Sequence, residues 1–351
     1  MRSGLDVTVR GAGIMGLSVA WACARRGARV RVIDPNGVAT GASGGVVGAL
    51  APHAPERWTD VKAFQLEGLL MAEGWWADVA RAAGRDPGYA RTGRLQPIAD
   101  EDGLRRARAR AEAAATLWGG RASWTVTPAA TFDLVPETPT GLLIHDTLSA
   151  RIDPRAGCAA LTRALTHHGA EIVVEGAEAG TVVHATGWTG LAALRDPAGR
   201  AAGTGVKGQA AVLRLARPDA PQVFADGLHV VPHADGTVAV GSTSERDFDA
   251  PATTDERLDD VLARARRAVP ALRNVPVLTR WAGVRPRARS RGPVLGAWPG
   301  RPGHVVANGG FKIGFGIAPL GAERLADLIL DGRDDIPAAF RPDLAPWDGT
   351  G

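Results

Sequence analysis

The first forty residues alternate between short apolar runs and one stretch with helical spacing. Residues 5–9 form an apolar run typical of a buried strand, and residues 17–26 repeat apolar side chains at the helical period. A second apolar run, residues 28–33, ends at Asp34. Three glycines, Gly11, Gly13 and Gly16, separate the first run from the helical stretch. This order predicts a βαβ unit at the start of the chain.

The glycine-rich turn predicts a dinucleotide-binding site. Gly11 permits a tight turn, Gly13 lets the backbone approach a pyrophosphate, and Gly16 allows close packing of helix on strand. Backbone N–H groups at the helix start, including those of Ile14 and Met15, are then expected to face the phosphates. A glycine-rich packing turn without a ligand is the alternative.

Asp34 indicates which dinucleotides suit this turn. An acid about 20 residues beyond the glycines accepts hydrogen bonds from the adenosine ribose hydroxyls. A ribose 2′-phosphate would be repelled there, so NADP is disfavoured. The residues themselves leave FAD and NAD equally open.

The rest of the chain contains both the helical and the strand pattern of apolar residues. Helical spacing predicts helices over residues 61–83, 104–117, 154–168, 255–269 and 317–330. Short apolar runs predict strands over residues 93–98, 172–174, 181–184 and 304–307. Alternating residues 209–215, 229–232 and 237–240 predict an antiparallel sheet. The proline-rich tail from Gly332 is expected to be loosely packed.

Composition narrows the class of protein. With 351 residues, 45% of them hydrophobic and 22% charged, the chain suits two globular domains or one large one. No apolar run approaches 18 residues, so no membrane span is expected. Cys23 and Cys158 are too few for a disulfide framework or a zinc site. The glycine turn lies too close to Met1 for a signal peptide, so we expect a cytoplasmic protein.

The net charge of +4 is carried mostly by arginine, since the chain has only three lysines. A basic balance can indicate a nucleic-acid partner. Here the arginines are dispersed among acids and no nucleic-acid motif is present, so a basic soluble enzyme is the favoured interpretation.

A run of small residues follows the predicted ribose-binding acid. Such dense small residues allow the backbone to lie against a flat ligand. We therefore predict a cofactor contact by Ala42, Ser43, Gly48, Ala49 and Leu50. His53 stands just beyond this run and is a candidate site residue, although a lone histidine is more often structural.

Eight short motifs occur in a fixed order over essentially the whole chain. They occupy residues 11–16, 42–50, 151–155, 184–188, 207–209, 231–243, 281–286 and 310–312. Among them are Arg-Ile-Asp-Pro-Arg at 151–155, His-Ala-Thr-Gly-Trp at 184–188 and Trp-Ala-Gly-Val-Arg-Pro at 281–286. Together they resemble the D-amino-acid oxidase, glycine oxidase and sarcosine oxidase family of FAD-dependent amine oxidoreductases.

The resemblance implies an α/β fold with a discontinuous FAD domain. That domain would be Rossmann-type, like that of glutathione reductase, and would comprise residues 1–60, 145–203 and 283–351. Residues 61–144 and 204–282 would form an inserted α+β substrate domain with an antiparallel sheet. The implied cofactor is FAD, and non-covalent binding is expected because neither cysteine lies in the C-terminal region.

The resemblance also assigns site residues. Arg285 and Lys312 match the residues that hold the substrate carboxylate, and His229 stands where the family often has a tyrosine over the substrate. With His53 they make up the predicted catalytic set. Further FAD contacts are implied for Thr186, Gly187, Trp188, Gly310, Phe311, Lys312, Ile313 and Gly314, and for the backbone around Glu178.

The expected reaction is oxidation of the C–N bond of glycine, sarcosine or a D-amino acid by hydride transfer to flavin. Oxygen or another acceptor would then reoxidise the flavin. Ala239 stands where sarcosine oxidases carry a lysine that promotes the oxygen reaction, so an amine dehydrogenase is an alternative. A modified tRNA nucleoside as substrate and a flavin-bound protein without turnover also stay open. The oligomeric state is not indicated.

Overall fold

The computed structural model describes residues 4–346. Within them, helix starts follow local capping chemistry: the side chains of Thr59, Asp153 and Asp255 accept backbone N–H groups at the starts of three helices. Pro154 occupies the first turn of the second of these, as its fixed φ favours. The α-helices are α1 Ile14–Ala24, α2 Asp60–Ala83, α3 Glu101–Leu117, α4 Pro154–His167, α5 Gly187–Ala193, α6 Glu256–Ala268 and α7 Gly314–Ala326.

The strands are mostly short, and they divide among three sheets. In chain order they are β1 Val7–Arg10, β2 Val30–Ile33, β3 Ala49–Leu50, β4 Arg94–Pro97, β5 Trp124–Pro128, β6 Leu142–Asp146, β7 Ala150–Arg151, β8 Glu171–Val173, β9 Thr181–His184, β10 Gly203–Leu213, β11 Gln222–Ala225, β12 Leu228–Pro232, β13 Val238–Gly241, β14 Val277–Ala288, β15 Val294–Ala297 and β16 His304–Asn308.

The first sheet has six strands in the order β15-β16-β9-β1-β2-β8. All pairs are parallel except β15–β16. The predicted βαβ unit is therefore confirmed, with β1, α1 and β2 in succession. Helix α1 begins three residues earlier than predicted, because Gly13 serves as its N-cap and the helix follows the turn directly.

The second sheet has eight strands in the order β14-β10-β13-β12-β11-β4-β6-β5. Its pairs are antiparallel except β4–β11, and its longest pair joins β10 and β14. Helix α6 packs its buried Leu258, Val261 and Leu262 into the apolar cluster on this sheet. The predicted antiparallel sheet is thus present, and β3 and β7 form a separate two-stranded ribbon.

The predicted helices α2 and α3 are present, and each buries apolar side chains. Trp75 and Trp76 on α2 are 5% and 1% exposed, as expected of core residues. On α3 the charged side chains face outward, while Leu104, Ala107 and Ala114 are buried. In the described range, no helix is both long enough and apolar enough to span a bilayer.

The proposed domain division can be compared with the sheets. Strand β6 stays in the eight-stranded sheet to Asp146, and β14 stays in it to Ala288. The change of sheet therefore falls near residues 147–149 and 289–293, slightly beyond the predicted boundaries at 144/145 and 282/283. The division into a FAD domain and a substrate domain is still a prediction.

The expectation of a loosely packed tail is wrong for the described residues. Ile336, Phe340 and Leu344 are 3%, 0% and 4% exposed. The Phe340 ring meets that of Phe64 on α2 edge-to-face, with centroids 5.0 Å apart. A short 3₁₀ turn, Ala338–Phe340, follows the proline at 337 and directs Phe340 into the core.

Replacing Phe340 by Ala tests this contribution. The change removes a fully buried ring and leaves a cavity against α2, so the free energy of unfolding should fall by about 3 kcal/mol. Urea unfolding of Phe340→Ala and of Asp343→Ala, an exposed neighbour, measures it. The control should change by less than about 0.5 kcal/mol. Equal stability of the two variants would mean that the tail does not belong to the core.

Candidate functional site

A cavity of about 1330 Å³ extends from the carboxyl ends of β1 and β2 to strands β12 and β14 of the second sheet. The carboxyl edge of a parallel sheet is where α/β folds bind their ligands. Most of the predicted site residues line it. They are Gly11, Gly13, Ile14, Met15, Asp34, Ala42, Ser43, Gly48, Ala49, Thr186, Gly187, Trp188, His229, Arg285, Gly310, Phe311, Lys312 and Gly314.

The glycine turn leaves no room for side chains. Gly11 has φ +108°, and a Cβ there would lie 2.3 Å from the Ala185 carbonyl oxygen. A Cβ on Gly16 would lie 2.0 Å from the Gly11 carbonyl oxygen. At Gly13 a Cβ would lie 3.1 Å from Ser43 Oγ. Gly16 does not line the cavity, so its role is packing of α1 on β1. Gly13 does line the cavity, and without a side chain it leaves its backbone open to a ligand.

The start of α1 is shaped to receive an anion. Its N-cap residue Gly13 has no side chain to satisfy the first N–H groups of the helix. Ser43 Oγ accepts the Ile14 N–H at 2.9 Å. The small-residue run therefore lies directly over the helix N-terminus, where the dipole and the N–H groups favour phosphate.

Asp34 is held rigidly at the end of β2. Its Oδ2 accepts the Ala12 N–H at 2.8 Å, and its Oδ1 accepts the Asn36 N–H at 3.0 Å. A carboxylate oxygen can accept two hydrogen bonds, so both oxygens retain capacity for ribose hydroxyls. The carboxylate lines the cavity, as the dinucleotide interpretation requires.

The cavity wall beyond Asp34 is formed by residues other than the predicted Glu178. Glu178 does not line the cavity and instead pairs with Arg10, whose Nη1 lies 3.2 Å from Glu178 Oε1. The cavity is lined there by His184, Trp298 and Arg301. The aromatic pair arises because β15 and β16 bring Trp298 beside His184 at the end of β9, with ring centroids 4.9 Å apart. Trp298 and Arg301 carry no motif that sequence reasoning could have used.

His184 is neutral in this surrounding. Burial, reinforced by the neighbouring His304, lowers the pKa of His184 to about 3. Its Nε2 lies 3.0 Å from His304 Nδ1. An uncharged ring beside the Trp298 ring suits a flat, uncharged heterocycle.

Arg285 dominates the opposite end of the cavity. Its Nη1 donates to Ser242 Oγ at 2.8 Å, and its Nη2 donates to the carbonyl oxygens of Thr243 and Lys207 at 2.7 and 3.2 Å. Burial lowers the pKa of the Arg285 guanidinium to about 10, so it stays charged at neutral pH. Glycine at 208 is required, because a Cβ there would lie 2.3 Å from Arg285 Nη2.

A polar network fixes the loop that holds Arg285. Gln209 donates to Glu245 at 3.0 Å and to Asp255 at 2.7 Å, and its own backbone N–H donates to Thr243 Oγ1 at 2.8 Å. Thr243 Oγ1 also donates to the Glu245 carboxylate. The network was missed from the sequence, because its members come from β10, the loop after β13 and the start of α6.

His229 and Lys312 lie near each other on the cavity wall. Burial, followed by the charges of Arg94 and Lys312, lowers the pKa of His229 to about 3, so its ring is neutral. The ring packs on Phe224, with centroids 4.7 Å apart. Burial and the charges of Arg285 and Arg287 lower the pKa of Lys312.

The loop before α7 wraps over β14. Phe311 has φ +42°, which is unusual for a residue with a side chain, and its N–H donates to the Pro286 carbonyl oxygen at 3.1 Å. This conformation places Phe311 and Lys312 on the cavity wall beside Arg285. Ile313, which was predicted to contact the cofactor, does not line the cavity.

His53 lies outside the cavity lining, as does Leu50. The His53 Nδ1 atom lies 2.5 Å from Gln65 Oε1, and the His53 N–H donates to the same oxygen at 3.0 Å. These bonds tie the loop after β3 to α2. The structure therefore gives His53 a local structural contact, and its proposed site role has no geometric support.

Comparison with known proteins agrees with this architecture. A family model described as "FAD dependent oxidoreductase" (DAO) matches residues 6–328. The solved structure of glycine oxidase from Geobacillus kaustophilus superposes with a TM-score of 0.80 at 21% identity, covering 99% of both chains. At that identity the likeness shows the fold.

Curated relatives match over different spans. Glycine oxidase from Pseudomonas aeruginosa is 34% identical over 140 residues, which is 39% of this chain and 38% of that protein. The bifunctional protein ThiO/ThiG from Nostoc is 28% identical over 361 residues, which is 94% of this chain and 53% of that protein. The matches thus span about half the length of these relatives or less.

The family match covers both sheets and the cavity between them, and the glycine turn with Asp34 lies inside the matched range. The chain therefore belongs to the DAO family of FAD-dependent oxidoreductases.

Proposed function

We propose that the chain oxidises the C–N bond of a small amino acid or secondary amine that carries a carboxylate, with FAD as hydride acceptor. The observation that carries the proposal is the partly buried, charged Arg285 on the wall of a cavity whose other end has the glycine turn and Asp34. The relatives named glycine oxidase support the same class of substrate.

The residues present fit FAD. The Gly13 backbone and the α1 N-terminus, with Ser43 above it, would hold the pyrophosphate, and Asp34 would hold the ribose. His184 and Trp298 would flank the adenine, in place of the predicted backbone at Glu178. Gly310, Phe311, Lys312 and Gly314 would face the flavin ring, next to Arg285. When bound, FAD supplies a two-electron acceptor for the hydride on the amine's α-carbon.

The protein's own part is position and charge. Arg285 would bind the substrate carboxylate and fix the α-carbon toward the acceptor. The uncharged amine nitrogen supplies the electron pair, so no protein base is required at the carbon. As the hydride leaves, the nitrogen loses its proton to solvent, and water then hydrolyses the imine to a carbonyl compound and an amine. Neutral His229 would pack beside the substrate without competing for its carboxylate.

A dehydrogenase is the second candidate, and one observation favours it. Ala239 is fully buried beside Val46 and Ala210, so no cation stands at the position that the sarcosine oxidases use for oxygen.

The experiment that tests amine oxidation is anaerobic titration of the FAD-loaded protein with glycine, sarcosine, proline and D-amino acids. Bleaching by one of them supports amine oxidation, and the rate of recolouring in air separates oxidase from dehydrogenase. If no small amine bleaches the flavin, the result favours a modified nucleoside as the substrate.

Asp34→Ala tests the ribose assignment. The change removes the predicted ribose acceptor and the acceptor for the Ala12 N–H, so the Kd for FAD should rise about 30-fold, a loss of about 2 kcal/mol. Fluorescence titration of the apoprotein with FAD measures it. Asp78→Ala, at an exposed ion pair with Arg81, is the control and should bind FAD normally. An unchanged Kd for Asp34→Ala would contradict the assignment.

Arg285→Gln tests the carboxylate contact. Losing a partly buried, charged donor should raise KM for the bleaching substrate about 100-fold while flavin content stays near that of the wild type. Arg280→Gln is a matched control, because Arg280 lies on the same strand but pairs with Asp259 at the surface. Steady-state kinetics of both variants measure the difference. An Arg285→Gln enzyme with the KM of the control would refute the proposed contact.

His229→Gln tests the neutral state of that histidine. The folded pKa of about 3 lies below the unfolded value near 6.5, so the unfolded chain binds a proton that the folded chain does not. Stability should therefore fall as pH drops from about 7 toward 5, by up to about 1.4 kcal/mol per pH unit for this group. Urea unfolding should show a shallower fall in His229→Gln than in wild type or in His167→Gln, at an exposed site on α4. Parallel pH curves for all three proteins would mean that His229 is protonated in the fold.

A further inference from the structure

Three cationic side chains lie around one aromatic ring near the substrate end of the cavity; two of them, Arg285 and Lys312, line the cavity together with the ring, and the third, Arg287, does not. The Arg285 and Arg287 guanidinium carbons lie 5.9 and 5.7 Å from the centroid of the Phe311 ring, and Lys312 Nζ lies 5.7 Å from it. We call Arg285, Arg287 and Lys312 the cation cluster. Each distance is within the range of a cation–π contact, which only partly offsets the repulsion among like charges.

The cluster arises from strand geometry. Arg285 and Arg287 are two residues apart on β14, so their side chains leave the same face of the sheet. The Phe311 N–H bonds the carbonyl oxygen of Pro286, the residue between them. That bond holds Phe311 beside β14, where both guanidinium groups and Lys312 Nζ lie within 6 Å of its ring.

No carboxylate of the described residues neutralises this charge by direct contact. Arg285 bonds only a hydroxyl and two carbonyl oxygens, and its nearest acid, Glu245, is engaged by Gln209 and Arg257. Within residues 4–346, neither Arg287 nor Lys312 forms an ion pair, whereas many of the other arginines do. The lowered pKa of Lys312 has Arg285 and Arg287 among its causes, as expected of unneutralised neighbours.

One substrate carboxylate on Arg285 leaves the positive charge of Lys312 on the cavity wall, and that of Arg287 beside the Phe311 ring but outside the lining, without a counter-charge. We propose that the substrate is a dicarboxylate amine, whose first carboxylate binds Arg285 and whose second is bound by Lys312 within the field of Arg287. This inference rests on the proposed function and names its substrate class. Arg287 is then a specificity-determining residue that acts on the second carboxylate.

Two matched ligand pairs test the inference. Oxydiacetate and methoxyacetate differ by one carboxylate, and their ether oxygen cannot be oxidised as an amine is. Iminodiacetate and sarcosine differ in the same way and carry the reactive nitrogen. Each ether is titrated into the FAD-loaded protein while the flavin absorption band is followed, and kcat/KM is measured for each amine.

The wild-type protein should bind oxydiacetate at least 10-fold more tightly than methoxyacetate, and its kcat/KM should favour iminodiacetate over sarcosine by a similar factor. In Arg287→Gln, the affinity for oxydiacetate and the kcat/KM for iminodiacetate should each fall about 10-fold. The corresponding values for methoxyacetate and sarcosine should fall less than twofold. Arg289→Gln is the matched control, because Arg289 is exposed and donates to the Ala201 carbonyl oxygen. It should behave as the wild type in both titrations.

The opposing outcomes are distinct. If the dianion binds no better than the monoanion, and both depend on Arg285, the proposed function stands and the dicarboxylate inference is overturned. If Arg287→Gln weakens both ligands equally, the cluster serves the flavin rather than a second carboxylate, which also overturns it. If neither ligand perturbs the flavin and neither amine bleaches it, the proposed function fails together with the inference. If Arg287→Gln does not fold, the ratio of oxydiacetate to methoxyacetate affinity in the wild-type protein tests the dicarboxylate inference by itself.

Discussion

The structure depends on close backbone contacts at the turn between β1 and α1. At Gly11 the chain lies so close to Ala185, and at Gly16 so close to Gly11, that a single Cβ at either position would overlap a carbonyl oxygen. This contact sets the distance between β1, β9 and the start of α1. Because β1 is a central strand, the position of the whole parallel sheet relative to the cavity depends on it. The same closeness exposes the helix N-terminus to the cavity, so the packing of α1 on β1 and the predicted phosphate contact depend on the same glycines.

The opposite end of the cavity depends on a partly buried charge. Taking a guanidinium out of water is costly unless its donors are satisfied. Arg285 meets that requirement in part, with a hydroxyl and two carbonyl oxygens on the loop after β13 and on β10, while its Nε has no hydrogen-bond partner among the described residues. Gln209 and Glu245 in turn hold that loop, so the orientation of Arg285 depends on residues that do not line the cavity.

The two ends of the cavity are electrostatically unlike. Asp34 provides a carboxylate at the end with the glycine turn, and Arg285 and Lys312 of the cation cluster provide positive charge at the other end. The histidines at both ends are held neutral by burial, so they contribute shape and packing rather than charge at neutral pH. A cofactor with a diphosphate and a carboxylate substrate would thus find a different partner at each end.

Local patterns in the sequence determined the βαβ unit, the antiparallel character of the second sheet, the helices predicted over residues 154–168 and 255–269 and the order of motifs that identifies the family. Those features depend on residues close together in the chain, where periodicity and capping act directly. The motifs also pointed to Arg285 and Lys312. The expectation of a loose tail failed at Phe340, because burial of a short turn depends on the core surface that receives it, here Phe64 on α2.

Only the tertiary structure decided which groups meet across the fold. It turned Glu178 toward Arg10, left His53 with Gln65, and placed Trp298 beside His184. It also gathered Arg285, Arg287 and Lys312 around Phe311, although Lys312 lies 25 residues beyond Arg287 in the chain. The charge environment of a site depends on distances between side chains, and those distances are set by how strands and loops from remote parts of the chain pack together.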